Sequence, residues 1–120
     1  AEINKGNKPP IVFTGNLNVE RDISDVRDVV SAYQKLLDSD IVSGVYNVCS
    51  GRKIRLLDLL KFIIDLGDTK IQIEIDKDRI RNTDASIVWG DNSKLKAAVE
   101  WNPQYKLEDT LKRIYAKYSM

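Results

Sequence analysis

Histidine is absent from the 120 residues of this sequence. That removes a His-based triad, a His metal site and a His general base from anything the chain does alone. Cysteine is nearly absent: Cys49 stands by itself, so no internal disulfide can form, and a reducing cytoplasm is the natural setting. No apolar run approaches the length of a membrane span and no secretory signal is visible, so a membrane partner is not expected. An excess of charge is missing too. Lys and Arg number 19 against 18 Asp and Glu, which gives no electrostatic case for nucleic acid. There is no G-x-G-x-x-G between a strand and a helix, no Walker lysine loop and no metal-ligand cluster. No catalytic residue, cofactor-binding residue or metal ligand is therefore expected within residues 1–120.

What is present is the composition of a soluble domain, 42% apolar and 31% charged, long enough for one modest core. Residues 1–7 (AEINKGN) read as the last turn of a helix stopped by Gly6. With no initiator Met and no cap of its own, this turn suggests a chain that starts inside an element, as part of a longer protein. Pro9 and Pro10 force extended backbone into a short strand at 11–14, closed by Gly15-Asn16. Ser24 is the expected cap of a helix reaching about Asp38, with Val26, Val29, Val30, Tyr33, Leu36 and Leu37 as its buried face. Residues 45–49 (VYNVC) read as a buried strand, 54–66 as a helix stopped by Gly67, and 71–75 as a half-buried strand. Asp91 or Asn92 starts a short helix to Val99. Leu107, Leu111, Ile114, Tyr115 and Tyr118 stripe a last one, expected to pack on the helix at Ser24. The class is α/β, helices with a few short strands.

Two loops carry arginine: 15–22 (GNLNVERD) and 79–84 (RIRNTD). A guanidinium suits phosphate because it is always charged and donates two parallel hydrogen bonds, while Gly and Asn let backbone N–H groups approach an anion. Loop arginines are also ordinarily just solvated. Trp89 and Trp101 could stack on a base, although bulky aromatics beside strands and Pro-containing loops are usually core. Tyr115 and Tyr118 each have a nearby Lys, but their helical spacing makes them packing and surface residues of the last helix. Cys49 reads as a small buried hydrophobe.

Four runs in order, GNLNVERDISDVRDVVSAY, GVYNVCSG, RIRNTDASIVWGDNSKLK and EWNPQYKLEDTLKRI, resemble the C-terminal third of extended short-chain dehydrogenases. The branch they resemble is that of GDP-mannose 4,6-dehydratase and GDP-4-dehydro-6-deoxymannose reductase. The resemblance covers essentially the whole chain. It implies the C-terminal substrate-binding part of an NAD(P)-binding Rossmann-fold enzyme, whose glycine-rich loop and Tyr-x-x-x-Lys pair would lie upstream of Ala1. It also implies that Arg21 and Arg81 hold a nucleotide diphosphate, that Asp84 approaches the ribose, and that Asn16 and Leu17 line the nucleotide pocket. Asn82 stands where the family has Pro, which leaves that loop less rigid. Ile23 stands where relatives have Trp or Phe, which leaves dehydratase against reductase open. Glu100 stands where Gly is common.

On this reading the substrate is a GDP-sugar and NADP serves the full-length parent, none being bound by this chain alone. A homo-oligomer is expected. A UDP- or dTDP-sugar epimerase or dehydratase is the nearest alternative within the family, and a free-standing, non-catalytic interaction module is the alternative of another class.

Overall fold

The prolines at 9 and 10 deliver the chain into β1 (Ile11–Thr14), which pairs in parallel with β4 (Gln72–Ile75), Ile11 opposite Gln72 and Thr14 opposite Ile75. The computed structural model describes residues 1–41 and 43–120. A second small sheet has β2 (Glu20–Arg21) at its centre, antiparallel to β3 (Ile54–Arg55) and parallel to β5 (Ile87–Val88). Four helices complete the fold: α1 (Val26–Leu37), α2 (Leu56–Asp65), α3 (Ser93–Val99) and α4 (Leu107–Ser119). A single 3-10 turn at Lys77–Arg79 follows β4.

Local chemistry explains most boundaries. Asp25, not Ser24, caps α1, its carboxylate accepting from the Arg27 backbone N–H at 2.8 Å. The first turn closes as expected: Gly6 sits at φ 76° and donates to Ile3 O, and Asn7 N donates to Glu2 O. Asn4 then pins that turn to the body, donating to Tyr115 Oη at 2.7 Å and accepting from Thr69 N at 3.0 Å. A Cβ at Gly67 would run into the Asn4 amide and the Tyr115 hydroxyl, so a side chain there would have to displace this tie. The second helix begins two residues later than the sequence suggests, since Ile54 and Arg55 are drawn into the ladder with β2.

Two expectations fail on packing: that the first and last helices pack together, and that the whole apolar stripe of α1 is buried. The helix α4 lies along α2 while α1 lies on α3, and α4 is tied to the cap of α1 where Thr110 Oγ1 donates to Asp25 Oδ2. Residues 45–49 join no ladder among the described residues; Lys94 Nζ donates to Val45 O, and Asn92 Nδ2 donates to Cys49 O. The core is small. Ala32, Leu95 and Trp101 form its buried centre, with Leu36, Tyr46, Val48 and Val99 against them. Of the stripe assigned to the core from α1, Val26, Val30, Tyr33 and Leu37 are exposed. The reason is shape. The molecule is a plate of 54 × 37 × 16 Å with a radius of gyration of 17.6 Å, where a compact chain of this length has about 14 Å. A plate one helix thick can cover only one side of each helix.

Candidate functional site

Each arginine-bearing loop is positioned by different means. The first leaves β1 at Gly15, where a Cβ would meet Arg79 O at 2.8 Å, so only glycine allows the close approach to the 3-10 turn. Asn16 is exposed, and its side-chain oxygen accepts from Asn18 N at 3.0 Å, closing a local turn. Leu17 O and Val19 O accept from Leu57 N and Leu56 N, both at 3.0 Å, so the loop's carbonyls satisfy the first amides of α2. Val19 is buried. The half-buried Arg21 follows on β2, with Nη1 donating to Glu20 O at 2.8 Å.

The second loop is held at its ends. Arg79 is committed: Nε donates to Asp76 Oδ2 and Nη1 to Phe13 O, each at 3.2 Å. Beyond the loop, Glu20 N donates to Ser86 O at 2.8 Å, and β5 pairs Ile87 with Glu20 and Val88 with Arg21. Between these ties every residue is exposed, Arg81 and Asp84 included, and neither makes an ion pair among the described residues. Asp84 N donates to Arg81 O at 3.4 Å, which bends the loop between them. The two loops thus run side by side, joined at Gly15–Arg79 and again at Glu20–Ser86. Asn16 and Leu17 lie in the joined span of one, Arg81 and Asp84 in that of the other, and Arg21 lies just past the second join. Two guanidinium groups on adjoining loops, neither of them in an ion pair among the described residues, are suited to a diphosphate.

Three aspartates at three-residue spacing organise this region, and sequence reasoning passed over them as dock points. Asp22 accepts from Ser50 N (2.9 Å), Ser50 Oγ (2.6 Å), Gly51 N (2.9 Å) and Gly90 N (3.4 Å). Asp25 caps α1, receives Thr110, and is gripped by the Arg27 guanidinium at 2.8–3.0 Å. The hydrogen bond from Arg27, and then that from Thr110, hold its carboxyl far below the usual carboxylate range. Asp28 accepts from Gln104 N and Tyr105 N, while its backbone oxygen takes the Trp101 indole N–H at 3.0 Å. The even spacing of Asp22, Asp25 and Asp28 was the available signal.

The remaining candidates divide. Trp101 is 1% exposed and is core, whereas Trp89 is 55% exposed with Lys53 Nζ 5.4 Å from its ring, contrary to the core assignment. Tyr115 is half-buried and bonded to Asn4, and Tyr118 is exposed. Cys49 is partly buried, and burial followed by the nearby Asp22 charge pushes its thiol up. Glu100, in the place of a common glycine, adopts the left-handed conformation at φ 52° that glycine favours. No helix among the described residues is long and apolar enough to cross a membrane.

The chain is 30% identical over 118 residues to the GDP-6-deoxy-D-mannose reductase of Pseudomonas aeruginosa, covering 98% of this chain and 39% of that one. A CDP-paratose 2-epimerase of Salmonella typhi is 26% identical over 117 residues, 95% of this chain and 34% of the relative. Among solved structures, that of RMD from Pseudomonas aeruginosa complexed with NADPH superposes with a TM-score of 0.90 at 29% identity, over 98% of this chain and 38% of the other. The chain therefore spans about two-fifths of the length of the relatives it matches. The solved neighbours include an NAD complex of a dTDP-glucose 4,6-dehydratase, so the plate of helices and short strands is a portion of an extended short-chain dehydrogenase fold. The family model for GDP-mannose 4,6 dehydratase matches residues 1–114, and the chain belongs to that family.

Proposed function

We propose that residues 1–120 are the nucleotide-sugar-binding region of a GDP-mannose 4,6-dehydratase-like enzyme of deoxysugar biosynthesis. The observation that carries this reading is the pair of adjoining loops, with Arg81 and Asp84 open to solvent beside the anchored strand of Arg21. Arg21 and Arg81 hold the diphosphate, Asp84 accepts from the ribose hydroxyls, and Asn16 and Leu17 line the nucleotide. Each charge-assisted contact contributes about 1.5–3 kcal/mol. That remote binding energy fixes where the sugar sits, so its reacting carbon is presented in one place.

The described residues do not fit the nicotinamide cofactor. A dinucleotide needs a glycine-rich turn from a strand into a helix whose first amides are open. Here β1 leads into a loop and β2, the first amides of α2 are taken by Leu17 O and Val19 O, and Asp25 caps α1. NADP belongs to the remaining length that the relatives carry. The purified chain should turn over no GDP-sugar, and conversion of GDP-mannose above a blank with added NADP would overturn this division of labour.

In the full-length protein, Arg81→Ala should weaken GDP-mannose binding by about one to two orders of magnitude and leave NADP binding intact. Unchanged affinity would remove Arg81 from the site. The identity to the Pseudomonas reductase favours a second reading, a GDP-4-dehydro-6-deoxymannose reductase. Dehydration of GDP-mannose supports the first. NADPH consumption with the 4-keto sugar nucleotide but not with GDP-mannose supports the second.

A further inference from the structure

A cavity of about 310 Å³ opens between the turn at Ser50, helix α3 and the loop that leads into α4. None of residues 15–22 or 79–86 lines it, so it is separate from the two arginine loops. Arg52, Lys96 and Lys106 line it, and no carboxylate does. The three cations stand on different elements and meet only through the fold: Arg52 precedes β3, Lys96 is on α3, and Lys106 precedes α4. All three are exposed, and none enters an ion pair among the described residues. Like charges gathered without a counterion repel, and a bound anion relieves that repulsion. The walls are fixed from behind. Asp22 Oδ1 accepts from Ser50 N at 2.9 Å and from Ser50 Oγ at 2.6 Å. The buried Asp28 accepts from Gln104 N at 2.8 Å and Tyr105 N at 3.2 Å. Both carboxylates are thus engaged by the backbone of the walls and not by the cations.

We propose that this cavity is a second anion site, which takes the phosphate monoester of a small polar alcohol. The lining selects that class. One guanidinium and two ammonium groups match the two charges and three oxygens of a phosphate monoester. Beside them the Asn102 side-chain amide makes no hydrogen bond among the described residues. Gln104 donates from Nε2 to Asn102 O at 3.1 Å and keeps its side-chain oxygen open. These groups suit hydroxyls. A nucleobase has little to stack on, because Tyr105, the ring in the lining, already holds the Arg27 guanidinium 3.5 Å from its centroid. The volume also sits at the lower end of the about 300–1,000 Å³ usual for small-molecule sites. The site does not depend on the diphosphate assignment, since it shares no residue with it.

The test is to titrate the isotope-labelled chain with inorganic phosphate and then with glycerol 3-phosphate, at constant ionic strength set by chloride, and to follow the backbone amide resonances. The amides of Ser50, Arg52, Asn102 and Gln104 should shift together on one saturating curve, with a Kd on the order of 1 mM for phosphate. Glycerol 3-phosphate should bind at least threefold tighter, because its hydroxyls reach Asn102 and Gln104. The double variant Arg52→Gln, Lys96→Gln should weaken both at least tenfold at an unchanged Tm, since both side chains are exposed. Should that pair disturb the fold, Lys106→Gln alone should weaken binding at least threefold. Arg81→Ala should leave both curves as they are. Shifts scattered over lysines throughout the chain, or reproduced by chloride alone, would mean that there is no site. Binding lost in Arg81→Ala but kept in the double variant would return the anion to the arginine loops. Glycerol 3-phosphate no tighter than phosphate would overturn the ligand class. Each of these results sinks the proposal and leaves the GDP-sugar reading where it was.

Discussion

The loop of Arg21 and the loop of Arg81 differ in how the protein holds them. Residues 15–22 are fastened along their length, by Leu17 O and Val19 O on α2, by buried Val19, and by Asp22 on three backbone amides. Residues 79–86 are fastened at their ends, and everything between is exposed. One arginine is thus pre-positioned by the fold, while the other stands on a loop held only at its ends, which under the proposed function the diphosphate would order.

The largest effect expected from this difference is on stability. Asp22→Ala leaves three partly buried amides and a hydroxyl without their acceptor and should cost about 2–4 kcal/mol. Asp84→Ala, at the matching place in the open loop, should stay within about 0.5 kcal/mol. Urea unfolding of the two variants compares them directly, and equal losses would erase the distinction.

Asp25 gives the next largest effect, and a pH signature. Its Ala variant loses a helix cap and the Thr110 and Arg27 bonds, about 2 kcal/mol. Because its folded carboxyl titrates below its unfolded value, its contribution is present above about pH 4 and is lost as pH falls below that. Thermal melts between pH 6 and pH 2.5 should show a decline that Asp25→Asn flattens. An identical pH slope in the variant would count against the assignment.

The smallest effects tune the backbone. Asn82→Pro in the open loop should raise stability by about 0.4–1 kcal/mol, since Asn82 is not at positive φ and its N–H serves no bond among the described residues. It should also tighten GDP-mannose binding in the full-length protein a few-fold, by cutting the cost of ordering Arg81. The same substitution at Leu17, in the anchored loop, should destabilise. At Glu100, outside both loops, Gly should add about 0.5–1 kcal/mol by relieving the left-handed conformation. Calorimetric Tm values order all three.

Much of the local structure was legible in the residues. The turn at Gly6, the strands at Ile11 and Gln72, and the helices at Ser93 and Leu107 follow from capping, proline and periodicity, which act over a few residues. The adjacency of the two arginine loops was not legible, because it depends on Gly15 meeting Arg79 and Glu20 meeting Ser86 across more than sixty residues. Nor was the orientation of α1. Periodicity says that a stripe exists, and only the packing says which side of the plate it faces.

The sequence by itself determined the four helices, the strands at Ile11 and Gln72, and the family, since these are written in residue identity and short spacing. The tertiary structure decided which aspartates dock which segments, which arginine is fixed and which is open, and that Val26, Val30, Tyr33 and Leu37 face outward. The physical reason is that burial and hydrogen-bond partnership are properties of the whole contact set. A plate 16 Å thick cannot bury both sides of a helix, whatever its periodicity promises.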